Sequence, residues 1–336
     1  MSTIVFNRDS IGVTLESNHL VVHDHAGGGS SRRVPLVDVE RVVVVGQPAI
    51  TFPVFAKLLD LGIPCSFMTH GGRWRGLMDG DAGFHAQRRM AQYELARDAD
   101  FALRTSRKLV AAKIANSRRT LQRLAAERGM PFVGDANWRM LSSLSGGLAR
   151  SRSPNEARGV EGMAANAYFS LLSRFFPDDM PFERRSRRPP RNQANALLSF
   201  VYTLLTGTFS STVRAHGLDV ACGFFHRPSD RSPALALDLM EPFRPAWADR
   251  FALNLLNHRR VRSDAHFEAA DNGGCHLNEN GRAVVFRAFD EMMASRQATE
   301  AGSLSRRQIV EREVCRFIAV IEGGEDGGDM AFYKAA

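Results

Sequence analysis

The hydrophobic repeat of this 336-residue chain changes once, near residue 80, and that change restricts it to a fold in which a strand-rich part precedes a helical one. Side chains alternate across a strand with a period of two and return to one face of a helix about every 3.6 residues. Before the change, Thr3-Ile4-Val5-Phe6, Gly12-Val13-Thr14-Leu15 and Leu20-Val21-Val22 predict short strands. The last two form a hairpin through the polar Glu16-Ser17-Asn18-His19 turn. The run from Arg33 to Gly46 ends in Val42-Val43-Val44-Val45 and predicts one buried strand, because β-branched side chains suit a pleated surface. A helix over Phe52 to Leu61 interrupts this pattern before Ile63-Pro64-Cys65-Ser66-Phe67 and a hairpin at Arg73-Trp74-Arg75.

After Phe84 the strand signals nearly vanish. Tyr93, Leu103, Leu109, Ile114 and Leu121 fall on one apolar stripe among arginines, which predicts long helices over 85–128. Met78 to Gly83 reads as the linker and 145–156 as a loop. The fold class is therefore α+β: a small β-rich amino-terminal domain over 1–80, a larger all-α carboxy-terminal domain over 81–322, and a mobile tail over 323–336. No apolar run reaches the roughly 20 residues that cross a bilayer, and the first ten residues lack the pattern of a signal peptide. A cytoplasmic protein without a membrane partner is expected. Cys65, Cys222, Cys275 and Cys315 are widely spaced and without a CxxC pair, so they read as buried small side chains rather than a disulfide or zinc framework.

Lysine and arginine outnumber aspartate and glutamate 44 to 36, a formal charge of +8 that favours phosphate-bearing partners. All the basic residues but Lys57, Lys108, Lys113 and Lys334 are arginine. Five arginines gather in Phe182-Glu183-Arg184-Arg185-Ser186-Arg187-Arg188-Pro189-Pro190-Arg191, where the guanidinium fork suits phosphate oxygens and the prolines hold the loop extended.

Four polar side chains stand against apolar patterns. Glu161 lies inside the arc of Val160, Met163, Ala164, Ala167, Tyr168, Leu171, Leu172 and Phe175, where a carboxylate is costly unless paired, protonated or bound to metal. His226 follows two aromatics in Gly223-Phe224-Phe225-His226 and reads as a core or loop histidine or as a ligand. Ser232-Pro233 predicts a helix start capped by serine, and that helix carries Asp238 and Glu241 on one face. The pair calls for arginine partners such as Arg244, or for a cation. Taken together, three carboxylates and one imidazole suit magnesium or manganese better than a closed zinc site.

The motifs Arg187-Arg188-Pro189-Pro190, Asn195-Ala196-Leu197-Leu198-Ser199-Phe200-Val201-Tyr202, Gly223-Phe224-Phe225-His226 and Leu237-Asp238-Leu239-Met240-Glu241-Pro242-Phe243-Arg244-Pro245 resemble the CRISPR-associated integrase family, Cas-one. The resemblance extends over nearly the whole chain and includes the Glu161-to-Phe169 helix and a late hairpin at Cys275 to Glu279. It implies a homodimerising β-rich domain and a helical domain in which Glu161, His226 and Glu241 ligate Mg2+ or Mn2+ beside the acid Asp238. Double-stranded DNA is the partner it implies, and the arginines expected on its phosphates are Arg184, Arg185, Arg187, Arg188 and Arg191 of the basic segment, with Arg244. A small companion subunit would complete a heterohexamer that inserts short foreign DNA into a CRISPR array by 3'-hydroxyl transesterification. Asn192 and Gln193 depart from the aspartate and proline frequent in the family. Rival readings are a branched-DNA nuclease that does not integrate and a non-catalytic DNA-binding scaffold.

Overall fold

The computed structural model describes residues 2–25, 31–70, 74–80, 85–186, 189–228, 232–269, 273–323 and 332–335. Strands β1 (Ser2–Phe6), β2 (Ile11–Glu16), β3 (His19–Asp24), β4 (Ser31–Pro35), β5 (Val39–Val45) and β6 (Ala49–Ile50) precede helix α1 (Phe52–Asp60), and β7 (Cys65–Met68) and β8 (Trp74–Met78) follow it. They form two four-stranded sheets, ordered β1-β5-β7-β8 and β4-β3-β2-β6. The β2–β3 hairpin pairs Ile11 with Asp24 and closes at Glu16 and His19, the turn the polar residues predict. The single strand expected over Arg33 to Gly46 is in fact two. A tight turn at Leu36–Asp38 sends β4 to one sheet and β5 to the other.

Strand β5 explains how the strand-rich part holds the helices. Val42 and Val44 pack into a core with Val13, Leu20, Val54 and Leu58, while Val43 and Val45 face the opposite way into the helical core. Both faces are buried, which is why the run is valine throughout rather than alternating with polar residues.

Helices α2 (Ala86–Arg97), α3 (Ala99–Arg128), α4 (Ala136–Arg150), α5 (Pro154–Leu172) and α6 (Gln193–Ala215) follow. They are joined by α7 (Ala234–Met240), α8 (Arg250–Asn257), α9 (Glu279–Ala294) and α10 (Arg306–Ile321). Two small hairpins interrupt the helices: β9 (Phe267–Ala269) with β10 (Cys275–Leu277), and β11 (Arg296–Thr299) with β12 (Gly302–Ser305). The second half is thus mainly rather than wholly helical. Helix α4 runs to Arg150 through both Gly146 and Gly147, so the loop expected over 145–156 shrinks to the turn before α5, where Ser153 caps the Glu156 amide. Met163, expected in the buried arc of α5, is 47% exposed. Of the four cysteines, Cys65 and Cys222 are buried, Cys275 is half-buried and Cys315 is exposed.

Helix α6 is the spine of the helical part. By length and hydropathy it could cross a membrane, yet 78% of its most apolar window is buried inside the protein. Its cap is Asn192, whose side chain accepts the Asn195 amide at 2.9 Å, a task a neutral amide performs as well as aspartate. Trp74 of β8 seats against Gly207 of α6, where an added Cβ would come within 2.9 Å of the indole. Arg41 donates to Thr208 at 3.0 Å, and Arg307 pairs with Glu40 at 3.0 Å, so polar contacts fix the same junction.

Part of the segment expected to be a mobile tail is docked. Phe332 and Ala335 are each 4% exposed, and the Tyr333 amide donates to Glu313 of α10 at 3.0 Å. Residues 324–331, the linker residues 81–83 and Arg73 lie outside the described residues. Burial pushes the Glu313 carboxyl up to about 7, against the pull of the Tyr333 amide and of Arg316 and Arg312. The unfolded chain ionises this group from about 4.5 upward while the folded chain resists, so stability falls as pH rises between those values and is flat above. Replacing Glu313 with glutamine keeps an oxygen for the Tyr333 amide and removes the buried charge. Chemical denaturation should find Glu313→Gln more stable than the parent at pH 8, by up to about 3 kcal/mol, and equal to it at pH 4.

Candidate functional site

Helix α3 supplies the cation at the centre of the site. The Lys113 ammonium contacts Glu161 Oε1 of α5 and lies 2.7 Å from Glu241 Oε2, at the carboxy-terminal end of α7. The second contact brings the buried Glu241 carboxylate onto the same cation as Glu161. Glu241 Oε1 receives Arg244 Nη1 at 2.5 Å, and Arg244 lies 4.0 Å above the Tyr202 ring. Burial favours protonation of Glu241, but Arg244, Lys113 and His226 outweigh it and hold the carboxyl well below the usual range. Arg244 loses solvation to burial and gains more from Glu241, so its proton is held more tightly than usual.

The chain reaches this arrangement by changing helix type. Helix α7 gives way at Glu241–Phe243 to a tight 3-10 turn and then to a π-helical turn over Arg244–Asp249, with Pro242 and Pro245 at the two transitions. Such wide turns recur at functional sites because they re-aim side chains within a continuous helix. Asp249, at the end of the wide turn, accepts the hydroxyls of Tyr168, at 2.9 Å, and Tyr202. Its carboxyl is raised by burial against the pull of Arg244 and these hydroxyls. The start of α7 differs from expectation: Pro233, not Ser232, is the boundary residue, and no side chain caps it.

Asp238 faces a different part of the chain. Its Oδ2 accepts the amides of Phe224 and Phe225 at 2.6 and 2.9 Å, and its Oδ1 accepts the His226 amide at 2.8 Å. His226 Nδ1 lies 2.7 Å from the same Oδ1, which fixes the ring and leaves Nε2 for another partner. With four contacts on two oxygens, Asp238 orients His226. Gly223 lets the loop close, since an added Cβ would stand 2.8 Å from the His226 carbonyl. Burial lowers the His226 affinity for a proton, but Asp238 and then Glu241 raise it further, for a net increase.

The structure therefore brings Glu161 and Glu241 together on Lys113, with His226 close enough to feel the charge of both Glu241 and Lys113. Among the described residues no three His, Cys, Asp or Glu side chains are gathered tightly enough to hold an ion by themselves. The arginine partner expected for the carboxylates is present for Glu241 as Arg244, whereas Glu161 is paired with lysine. Lys113 escaped the sequence reading, although a lysine between Leu109, Val110 and Ile114 on an apolar stripe carries the same signal as Glu161.

The six arginines expected on phosphate divide. Arg184 and Arg191 are exposed. Arg185 is turned inward, with Nη1 on Asn195 Oδ1 at 2.8 Å and Nη2 on Ser199 Oγ at 3.0 Å. Arg244 is 8% exposed and engaged with Glu241, so these two shape the protein rather than its surface. Arg187 and Arg188 lie outside the described residues.

The family described as "CRISPR associated protein Cas1" matches residues 4–291. A CRISPR-associated endonuclease Cas1 of Rhodospirillum rubrum is 34% identical over 301 residues, covering 87% of this chain and 86% of its own. Among solved structures, a casposase bound to an integration product superimposes with a TM-score of 0.89 at 19% identity, covering all of this chain and 95% of that one. A chain of a Cas6-RT-Cas1–Cas2 complex gives 0.83 at 22% identity, with this chain spanning 36% of its length. At such identities the structural likeness establishes the fold.

The four contacts of Asp238 give a direct test. In Asp238→Asn one oxygen is replaced by an NH2 group that confronts donors it cannot accept. Urea unfolding should show a loss of roughly 2–3 kcal/mol, while the His226 ring, followed by its NMR titration, should lose its raised proton affinity.

Proposed function

Because the chain belongs to the Cas1 family of CRISPR-associated proteins, we propose that it is a divalent-metal-dependent DNA endonuclease and integrase. It inserts short foreign DNA into a CRISPR array by transesterification, in the cytoplasm, where its array substrate resides. The observation that carries this reading is the convergence of Glu161 and Glu241 on the half-buried ammonium of Lys113 beside an oriented His226. Two hard oxygen donors already arranged around a positive charge, beside a histidine whose Nε2 is left for another partner, fit a site for Mg2+ or Mn2+ completed by an imidazole. Glu161, Glu241 and His226 would hold the ion.

When bound, such an ion supplies charge stabilisation at the attacking and leaving oxygens of a phosphodiester exchange. The chain's own residues do the rest. Asp238 presents His226 in one tautomer, Arg244 keeps Glu241 ionised, and Lys113 offers a second positive charge next to the reacting phosphate once it leaves the carboxylates. No GxxxxGK[ST] loop occurs in the sequence, in keeping with an exchange in which one phosphodiester replaces another without nucleotide hydrolysis. The double-stranded DNA backbone would lie along exposed arginines, including Arg184 and Arg191. Two homodimers flanking one dimer of a small companion subunit, a heterohexamer, is the assembly in which we place the chain; its likeness to part of a Cas1–Cas2 complex supports the companion.

Incubating the protein with a short duplex, a supercoiled repeat plasmid and Mn2+, with the companion present and no ATP, should yield joined product from donors ending in a 3'-hydroxyl and none from donors ending in a 3'-phosphate. Glu241→Ala should abolish joining. Equal joining of both donors would exclude the hydroxyl as nucleophile, nicking without joining would favour a nuclease that does not integrate, and activity indifferent to metal would remove the ion from the proposal.

The divided arginines yield a second test. Replacing Arg184 and Arg191 together with alanine should weaken binding to unrelated duplexes about equally and reduce the salt slope by roughly 0.9 per lost contact. Arg185→Ala should leave that slope unchanged, since its donors are engaged inside the protein.

A further inference from the structure

Asn116 lies one turn after Lys113 on α3 and is buried at 1% exposure. Its Nδ2 donates to the Pro242 carbonyl at 2.7 Å and to the Tyr333 carbonyl at 2.9 Å, while its Oδ1 accepts the Ala335 amide at 2.9 Å. One buried side chain thus joins the turn that follows Glu241 to a segment some ninety residues downstream, by about the separation of Pro242 and Tyr333 along the chain. The Tyr333 ring stacks on Phe243 with centroids 4.2 Å apart and planes inclined by 12°, and its hydroxyl accepts Trp247 Nε1 at 3.1 Å. Arg119, one turn further along α3, holds the Ala335 carbonyl.

We propose that Phe332–Ala335 is a strut that positions Glu241 and Arg244 for the reaction. The helix is weakest here, because Pro242 and Pro245 each lack an N–H donor and the backbone passes from a 3-10 to a π-helical turn. A turn of this kind needs outside support if its side chains are to stay within the fraction of an ångström that a functional site requires. The strut gives that support by stacking on Phe243 and by sharing Asn116 with Pro242, the two residues between Glu241 and Arg244. Tyr333 is accordingly a positioning residue that acts through Phe243 and Pro242 and touches neither carboxylate.

The proposal concerns the same site as the proposed function, and the test separates the two. In the full chain, Tyr333→Ala should speed amide hydrogen exchange across 239–249 about tenfold while leaving β1 and β5 unchanged. It should also weaken Mn2+ binding, measured by calorimetry, by about tenfold. Tyr333→Phe, which keeps the stacking and the backbone bonds, should restore both to within about twofold of the parent. Arg119→Ala, a milder change that frees only the Ala335 carbonyl, should speed exchange over 239–249 by about threefold, and so tests the strut should Tyr333→Ala fail to fold. Unchanged exchange at 239–249 in a variant whose residues 332–335 exchange freely would overturn the strut. Absence of Mn2+ binding by the parent chain would instead count against the metal reading, with the exchange experiment still deciding the strut.

Discussion

A fully buried, ionised glutamate organises the helical half of this protein. A carboxylate taken out of water at Glu241 costs several kcal/mol unless cations approach it closely. Arg244 comes from the next turn of the same helical run, while Lys113 comes from α3, and meeting the second demand also ties in Glu161 from α5. Three helices are thereby referred to one charge. The arginine and the lysine are not equivalent in this role. The guanidinium is stacked on Tyr202 and fixed, whereas the ammonium is a point charge on a flexible stem that can move away. In a chain whose basic residues are otherwise almost all arginine, a lysine at this point is the cation that the proposed metal site would have to displace.

The architecture was legible where periodicity was strong. The β2–β3 hairpin, α1 and the long helices after residue 85 follow from spacing and turn chemistry. The errors arose where local signals were overridden from a distance. The β4–β5 boundary was missed because the Leu36–Asp38 turn contains neither glycine nor a polar cluster, and its sharpness follows from the two strands joining different sheets. Helix α4 continues through Gly146 and Gly147 because Leu141, Leu144 and Leu148 are buried, and that packing offsets the poor helix propensity of glycine. The docking of Phe332–Ala335 depends on Asn116, Glu313 and Phe243, residues that no local pattern links to the chain's end.

At the site, the carboxylates announced themselves because a polar residue in an apolar arc is anomalous by itself. Their partners did not, since nothing in the spacing of Glu161 and Glu241 indicates that Lys113 lies between them. The inward turn of Arg185 was equally hidden: in the sequence it is one of five similar arginines, and only the fold brings Asn195, Ser199 and Tyr202 beneath it. Pattern therefore locates candidate groups, while the allocation of charges among them belongs to the tertiary structure.

Strand β5 faces two cores with the same residue type, and this removes a source of information that most strands carry. A shift by one position ordinarily exchanges apolar for polar side chains and is rejected at once. Along Val42 to Val45 the same shift places valine where valine stood, so hydrophobicity is nearly blind to the alignment. The choice passes to the polar residues at the strand's beginning, Glu40 with Arg307 and Arg41 with Thr208, the latter contact linking residues 167 positions apart. Helices that are synthesised long after the sheet thus add to its registration, alongside the bonds from Gly46 to Met68 and from Gln47 to Asp9 at the strand's other end.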